Sequence, residues 1–206
     1  VGDTLSYAGT LADGSALPSW LSFDAATRTF SGTPANGDVG AISVRVTATD
    51  GSNASVSSDF TLTVGNTNDA PTSSGITAQS ATEDSAFTFT VPSSTFSDVD
   101  TGDSLSFTAT LADGSALPSW LSFDAATRSF SGTPANGDVG AISVRVTATD
   151  GSSASVSSDF TLTVGNTNDV PTSSGITAQA ATEDTAFSFT VPSNTFSDVD
   201  TGDSLS

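Results

Sequence analysis

Apolar and polar residues alternate with a period of two through most of the chain. Ile142, Val144, Val146 and Ala148 are interleaved with Ser143, Arg145, Thr147 and Thr149, and Phe160, Leu162 and Val164 with Thr161 and Thr163. The same alternation places Phe87, Phe89 and Val91 on one face, and Leu105, Phe107, Ala109 and Leu111 on another. One apolar face per segment predicts antiparallel strands laid on a core. Asp113-Gly114, Gly137-Asp138 and Asp150-Gly151 interrupt the alternation and predict turns. No segment keeps a helical period. About seven short strands in about a hundred residues predicts an all-β fold, a Greek-key β-sandwich of immunoglobulin-like size.

The pattern repeats. Residues 11–20, Leu-Ala-Asp-Gly-Ser-Ala-Leu-Pro-Ser-Trp, recur unchanged as 111–120, and a shift of one hundred residues matches all but twelve of the first hundred positions. Copies this similar indicate recent duplication in a tandem array, which builds length or valency. Asn66-Thr-Asn-Asp-Ala-Pro71 and Asn166-Thr-Asn-Asp-Val-Pro171 read as linkers, since polar residues ending in proline stop a strand. On this division residues 71–170 form one complete repeat, 1–70 the later part of a preceding repeat, and 171–206 the opening of a following one. The chain opens inside the pattern, at Val1-Gly2-Asp3, and reads as a window on something longer.

Composition narrows the function. There are 23 acidic residues against four arginines and no lysine, a formal charge of -19. That field repels nucleic acid and anionic membranes and attracts cations, and no run is long and apolar enough for membrane insertion. Without cysteine or histidine the usual catalytic bases, nucleophilic thiols and thiolate metal sites are absent. No phosphate-cradling motif occurs. The expectation is a protein that is not an enzyme. Trp120, flanked by Leu121 and Phe123, reads as a plug between sheets rather than as a platform for a sugar ring.

The acids gather in loops. Glu83-Asp84 precedes the strand at Phe87. Asp98, Asp100 and Asp103 share one short inter-strand segment, Asp138 lies in a loop, Asp150 ends a strand, and Asn168-Asp169 is the linker. Calcium takes six to eight oxygen ligands of these kinds, and a sandwich collects its loops at its ends. Together they predict a divalent-cation site at each junction between repeats.

The chain resembles the cadherin-like repeats of the dystroglycan type found in large bacterial surface adhesins. The resemblance covers the whole chain. It is carried by Leu117-Pro-Ser-Trp-Leu-Ser-Phe-Asp124, Phe130-Ser-Gly-Thr-Pro134, Val146-Thr-Ala-Thr-Asp150 and Asn166-Thr-Asn-Asp-Val-Pro171. It implies extracellular sandwiches strung end to end at a bacterial cell surface, with Ca2+ at the junctions. Residue by residue, Glu83 matches the early glutamate of cadherins, Asp138 the mid-domain acidic cluster, and Asn168 with Asp169 the linker. Asp198 and Asp200 match the acid pair of the following repeat, with Asp203 a further position. At the earlier junction the corresponding residues are Asp38, Asn68, Asp69, Asp98, Asp100 and Asp150, to which Asp103 is added. The linker starts with Asn rather than Asp and is one residue shorter before its proline, and a single acid replaces the mid-domain cluster. Fewer or weaker ions per junction than in animal cadherins are therefore expected. The implied function is a calcium-stiffened spacer of an adhesin or fibre whose partners are neighbouring repeats. Two alternatives stay open: a module that binds polysaccharide or a cell surface, and a fibre subunit assembled by strand complementation between chains.

Overall fold

The computed structural model describes residues 4–200. They fall into two compact units. The first takes the described residues up to Ala70 together with Asp98–Ser104, and the second takes Pro71–Ser97 and those from Leu105 onward.

In the first unit the strands are β1 (Ser6–Leu11), β2 (Leu21–Asp24), β3 (Thr29–Gly32), β4 (Gly40–Thr49) and β5 (Ser55–Val64). They form a three-stranded sheet in the order β1-β4-β5 and a separate β2-β3 hairpin. All of these pairings are antiparallel, with Val44 opposite Phe60 and Phe23 opposite Phe30.

The second unit adds β6 (Thr72–Ser73), β7 (Gln79–Thr82), β8 (Phe87–Thr90), β9 (Phe96–Ser97), β10 (Ser106–Leu111), β11 (Leu121–Asp124), β12 (Ser129–Gly132), β13 (Gly140–Thr149), β14 (Ser155–Gly165), β15 (Thr172–Ser173) and β16 (Phe196–Ser197). One sheet runs β10-β13-β14-β7 and the other β11-β12-β8; β6-β9 and β15-β16 are short two-stranded pairs. Every ladder is antiparallel except β7 with β14, which is parallel and aligns Gln79 with Leu162. The seven strands of the two larger sheets agree with the number and the sandwich class expected from the alternation. Helical structure among the described residues is confined to single 3-10 turns at Asn36–Asp38 and Asn136–Asp138. Among these residues no helix is long and apolar enough to cross a membrane.

The two sheets of the second unit close over a core of Phe87, Val91, Phe96, Leu121, Phe130, Val144, Val146, Phe160, Leu162 and Val164. All of these but Phe96, Leu121 and Phe130 are inward positions of the period-two pattern, and burying such side chains contributes about 1.5–3 kcal/mol each. Phenylalanines dominate the seam. Phe130 meets Phe160 edge-on at 5.7 Å and stacks with Phe89 at 6.3 Å, while Phe123 lies 4.6 Å away. Trp120 is half-buried, packs against this core and meets Phe87 edge-on at 6.4 Å. Gly132 lets β12 run close beneath it, because a Cβ there would fall 1.8 Å from the Trp120 carbonyl oxygen.

All four arginines are engaged within their own units. Arg45 and Arg145 each face an aspartate across the β4-β5 or β13-β14 ladder and bind it in bidentate fashion, with both N–O distances 2.7 Å in Arg45–Asp59 and in Arg145–Asp159. Arg28 lies over the Tyr7 ring and Arg128 over the Phe107 ring, each at 5.5 Å.

Candidate metal centre

The second unit brings together Glu83, Asp169 and Asp200, which are far apart in sequence. One carboxylate oxygen from each lies within 4.8 Å of the others. Glu83 follows directly on β7. Its placement is fixed because the Glu83 N–H donates to the Gly165 carbonyl at 3.0 Å, continuing the parallel β7-β14 ladder. The next N–H, from Asp84, donates to the Pro134 carbonyl at 2.8 Å. Asp84 accommodates this tight turn with a positive φ of 56°, a conformation Asp tolerates better than most residues.

Glu83 is fully buried. Its Oε1 accepts the Thr167 N–H at 2.6 Å, whereas its Oε2 has no hydrogen-bond partner. A buried charged oxygen without a partner is costly. Asp200 is also buried. Its Oδ2 accepts the Asp169 N–H at 2.7 Å, and its Oδ1 accepts Nδ2 of both Asn136 and Asn166 at 3.1 Å. Asp198 holds the turn by accepting the Asp200 N–H on Oδ1 at 2.9 Å. Desolvation, followed by the negative charges of Asp200, Asp84 and Asp198, holds the Asp169 carboxyl above the usual value of 3.8.

This donor set fits a hard divalent cation. It consists of carboxylate oxygens, one of them buried and unpartnered, with two amides at hand. The amides now present nitrogen to Asp200. Rotated about χ2, each would present its oxygen instead, and a cation would favour that orientation.

The other residues singled out in the sequence make the following hydrogen bonds. Asp138 closes the 3-10 turn, its Oδ2 accepting the Ala135 N–H at 3.0 Å, and Asp38 does the same for Ala35 at 2.8 Å. Asn168 donates to the Asp169 carbonyl at 2.9 Å, as Asn68 does to Asp69 at 3.1 Å. Asp150 organises the turn after β13, its Oδ1 accepting the N–H groups of Ser152 and Ala154, both at 2.8 Å. In the first unit Asp69 accepts Asn36 Nδ2 at 2.7 Å and donates its N–H to Asp100 Oδ2 at 2.7 Å. Asp98 Oδ1 accepts the Asp100 N–H at 2.9 Å, and the Asp103 N–H donates to the Asp100 carbonyl at 3.3 Å. Asp98 Oδ2 and Asp100 Oδ1 are buried without partners. Asp203 lies outside the described residues.

Sequence reasoning did not select Asn136 and Asn166 as part of the site. Asn166 stands where a cadherin linker carries an acid, which is a usable signal. Asn136 sits in an ordinary-looking Asn-Gly turn and gives none.

Comparison with known proteins agrees with this architecture. The family model for a putative Ig domain matches residues 1–65 and again 70–165. The serine-rich adhesin for platelets of Staphylococcus aureus strain USA300 is 32% identical over 163 residues, which is 79% of this chain but only 7% of the adhesin. The corresponding protein of strain MRSA252 is also 32% identical over 163 residues, again 79% of this chain, and the match spans 11% of its length. Among solved structures, human CDH23 EC21-23 superposes with a TM-score of 0.65 at 18% identity, covering 98% of this chain and 70% of that one. Mouse Cadherin-23 EC22-24 gives 0.55 at 17% identity, covering 79% of this chain and 53% of that one. At these identities the structural matches speak for the fold alone. The chain belongs to the putative Ig domain family, as tandem β-sandwich repeats with a cadherin-like fold.

Proposed function

We propose that these repeats are spacer units of an extracellular surface adhesin, with Ca2+ held by Glu83, Asp169 and Asp200 to stiffen the link between one repeat and the next. The observation that carries this reading is the buried Glu83 carboxylate, with one oxygen on the Thr167 N–H and the other unpartnered. Thr167 and Asp169 belong to the linker and Asp200 to the sequence beyond it. A cation bound to this trio would tie the end of one repeat to the start of the next. Homology to a staphylococcal surface adhesin supports an extracellular, cell-surface setting. Near-identical repeats suit a device that sets length.

The polysaccharide-binding alternative gains less support, because Trp120 lies against Phe87 and the core instead of standing free on the surface. The test is thermal unfolding of the chain in chelator and in millimolar calcium. A ligand that binds only the native state raises the midpoint by mass action. The expected result is a rise that Asp200→Ala removes. An unchanged midpoint would overturn the calcium reading and leave the acidic loops as ordinary turns.

A further inference from the structure

Asn136 and Asn166 make the same contact but have different neighbours. Each donates Nδ2 to Asp200 Oδ1 at 3.1 Å. Asn166 is followed by Thr167, whose N–H is committed to the buried Glu83 carboxylate at 2.6 Å. Asn136 is followed by Gly137. These two residues open the single 3-10 turn Asn136–Asp138, in which the Asp138 N–H donates to the Ala135 carbonyl at 2.8 Å and the Val139 N–H to the Asn136 carbonyl at 3.3 Å. The Gly137 N–H meets no acceptor among the described residues. Gly137 is exposed, and nothing lies within 4 Å of the position a Cβ would take there. The first unit repeats the arrangement. Asn36 precedes the exposed Gly37 in the turn Asn36–Asp38, and its Nδ2 donates to Asp69 Oδ2 at 2.7 Å.

We infer that Asn136 and Asn36 are sites of spontaneous deamidation, and that the carboxylate formed at Asn136 joins Glu83, Asp169 and Asp200 as a fourth acid. The Gly137 nitrogen attacks Cγ of Asn136, and its proton passes through solvent to the departing Nδ2. The new C–N bond closes a five-membered imide as the Cγ–Nδ2 bond breaks and ammonia leaves. Water then opens the imide at either carbonyl and leaves aspartate or isoaspartate. Glycine has no side chain to hinder ring closure and bends freely. Thr167 is β-branched and stiff, and its nitrogen is already bonded, so Asn166 is protected. When Asn136 turns away from Asp200, Asn166 still partners Oδ1. Deamidation replaces a donor to Asp200 with a like charge. Alone, that charge repels the other acids; around a divalent cation it supplies the kind of oxygen such an ion prefers. The repeat would therefore age into a form that is weaker by itself and responds more to calcium. The modification stands without the calcium reading above; its effect on calcium rests on that reading.

Peptide mapping tests the modification on the 206-residue chain, held folded in mildly alkaline buffer and then cleaved after arginine. Peptides 29–45 and 129–145 each contain a single asparagine and are told apart by Thr29 and Ser129. Each is expected to gain one mass unit, with isoaspartate present, while Asn166 stays an amide. A synthetic peptide of residues 129–145 in the same buffer marks the time at which free chain has converted. Gly137→Ala should hold peptide 129–145 unchanged and leave 29–45 converting. A folded chain still amidated at Asn36 and Asn136 once the synthetic peptide has converted, or Asn166 converting as fast as Asn136, would overturn the assignment. Thermal midpoints of Asn136→Asp and of the parent, in chelator and in calcium, test the consequence. The variant should melt lower in chelator and gain more from calcium. A variant that gains no more than a responsive parent would sink the fourth-acid role. A parent without any calcium response would remove that role together with the calcium reading, and leave the deamidation sites standing.

Discussion

Glu83 and Thr167 are joined by a 2.6 Å hydrogen bond from the linker N–H to a carboxylate with no solvent exposure. This one contact ties the end of β7 to the segment leaving β14. Glu83→Ala should cost about 1–3 kcal/mol in chelator, because the Thr167 N–H loses its acceptor and a fully buried side chain is deleted. Glu83→Gln keeps an oxygen acceptor and removes the charge, so its stability in chelator should equal or exceed that of the parent. Both variants should lose the calcium response. Chemical denaturation with and without calcium separates the two effects, and a full calcium response in Glu83→Gln would count against the assignment.

Asp169 gives the site a pH signature. Its native carboxyl is held above 3.8 by desolvation and by Asp200, Asp84 and Asp198. The native state therefore holds that proton more tightly than the unfolded chain. Its contribution to stability is fully present below about pH 3.8 and is lost as the pH rises through the native value. In chelator, Asp169→Asn should gain on the parent as the pH rises through this window. In calcium at neutral pH the order should reverse, because the variant lacks a ligand. Urea titrations at stepped pH measure both arms, and a difference independent of pH would refute the assignment.

Equivalent phenylalanines should differ in value. Phe130 is 1% exposed and ringed by Phe89, Phe123 and Phe160, so Phe130→Ala should cost about 3–5 kcal/mol. Phe30 keeps Phe23 and Phe60 but is only half-buried, and Phe30→Ala should cost markedly less. Unfolding followed by a probe in each unit would show it.

Gly132→Ala is the sharpest packing test. A Cβ at that position meets backbone, the Trp120 carbonyl oxygen, and not the end of a flexible side chain. Relief requires the β11-β12 hairpin to shift, so a loss of about 1–3 kcal/mol and a change in Trp fluorescence are expected. Gly137→Ala is the control: nothing lies within 4 Å of the position its Cβ would take, and the change should be nearly neutral.

Strands with clean alternation were legible in the sequence, because a half-buried strand writes its two faces into neighbouring residues: β8, β10, β13 and β14 all fall where Phe87, Phe107, Val144 and Phe160 indicated. β7 was not. Gln79-Ser-Ala-Thr82 carries one buried alanine, and its parallel pairing with β14 depends on a backbone edge that side chains do not announce. In the candidate site, Glu83, Asp169 and Asp200 were visible as loop acids. Their convergence was not, since it depends on how the β7-β14 ladder ends. Asp138 shows the converse: a loop acid of the same appearance, whose carboxylate closes its own turn. Local chemistry marks which residues can bind, but tertiary placement decides which of them meet.

The parallel alignment of β7 with β14 has a mechanical consequence. The chain enters this sandwich through one of these strands and leaves through the other, so tension along an array pulls them in opposite directions along their length. Their hydrogen bonds, from Gln79 beside Leu162 to Thr82 beside Gly165, would then be strained together and not peeled one by one. Glu83 and Thr167 lie just past the end of that zone, where a bound cation would act as a further clamp. Repeats built this way would resist drag and hold their length under load.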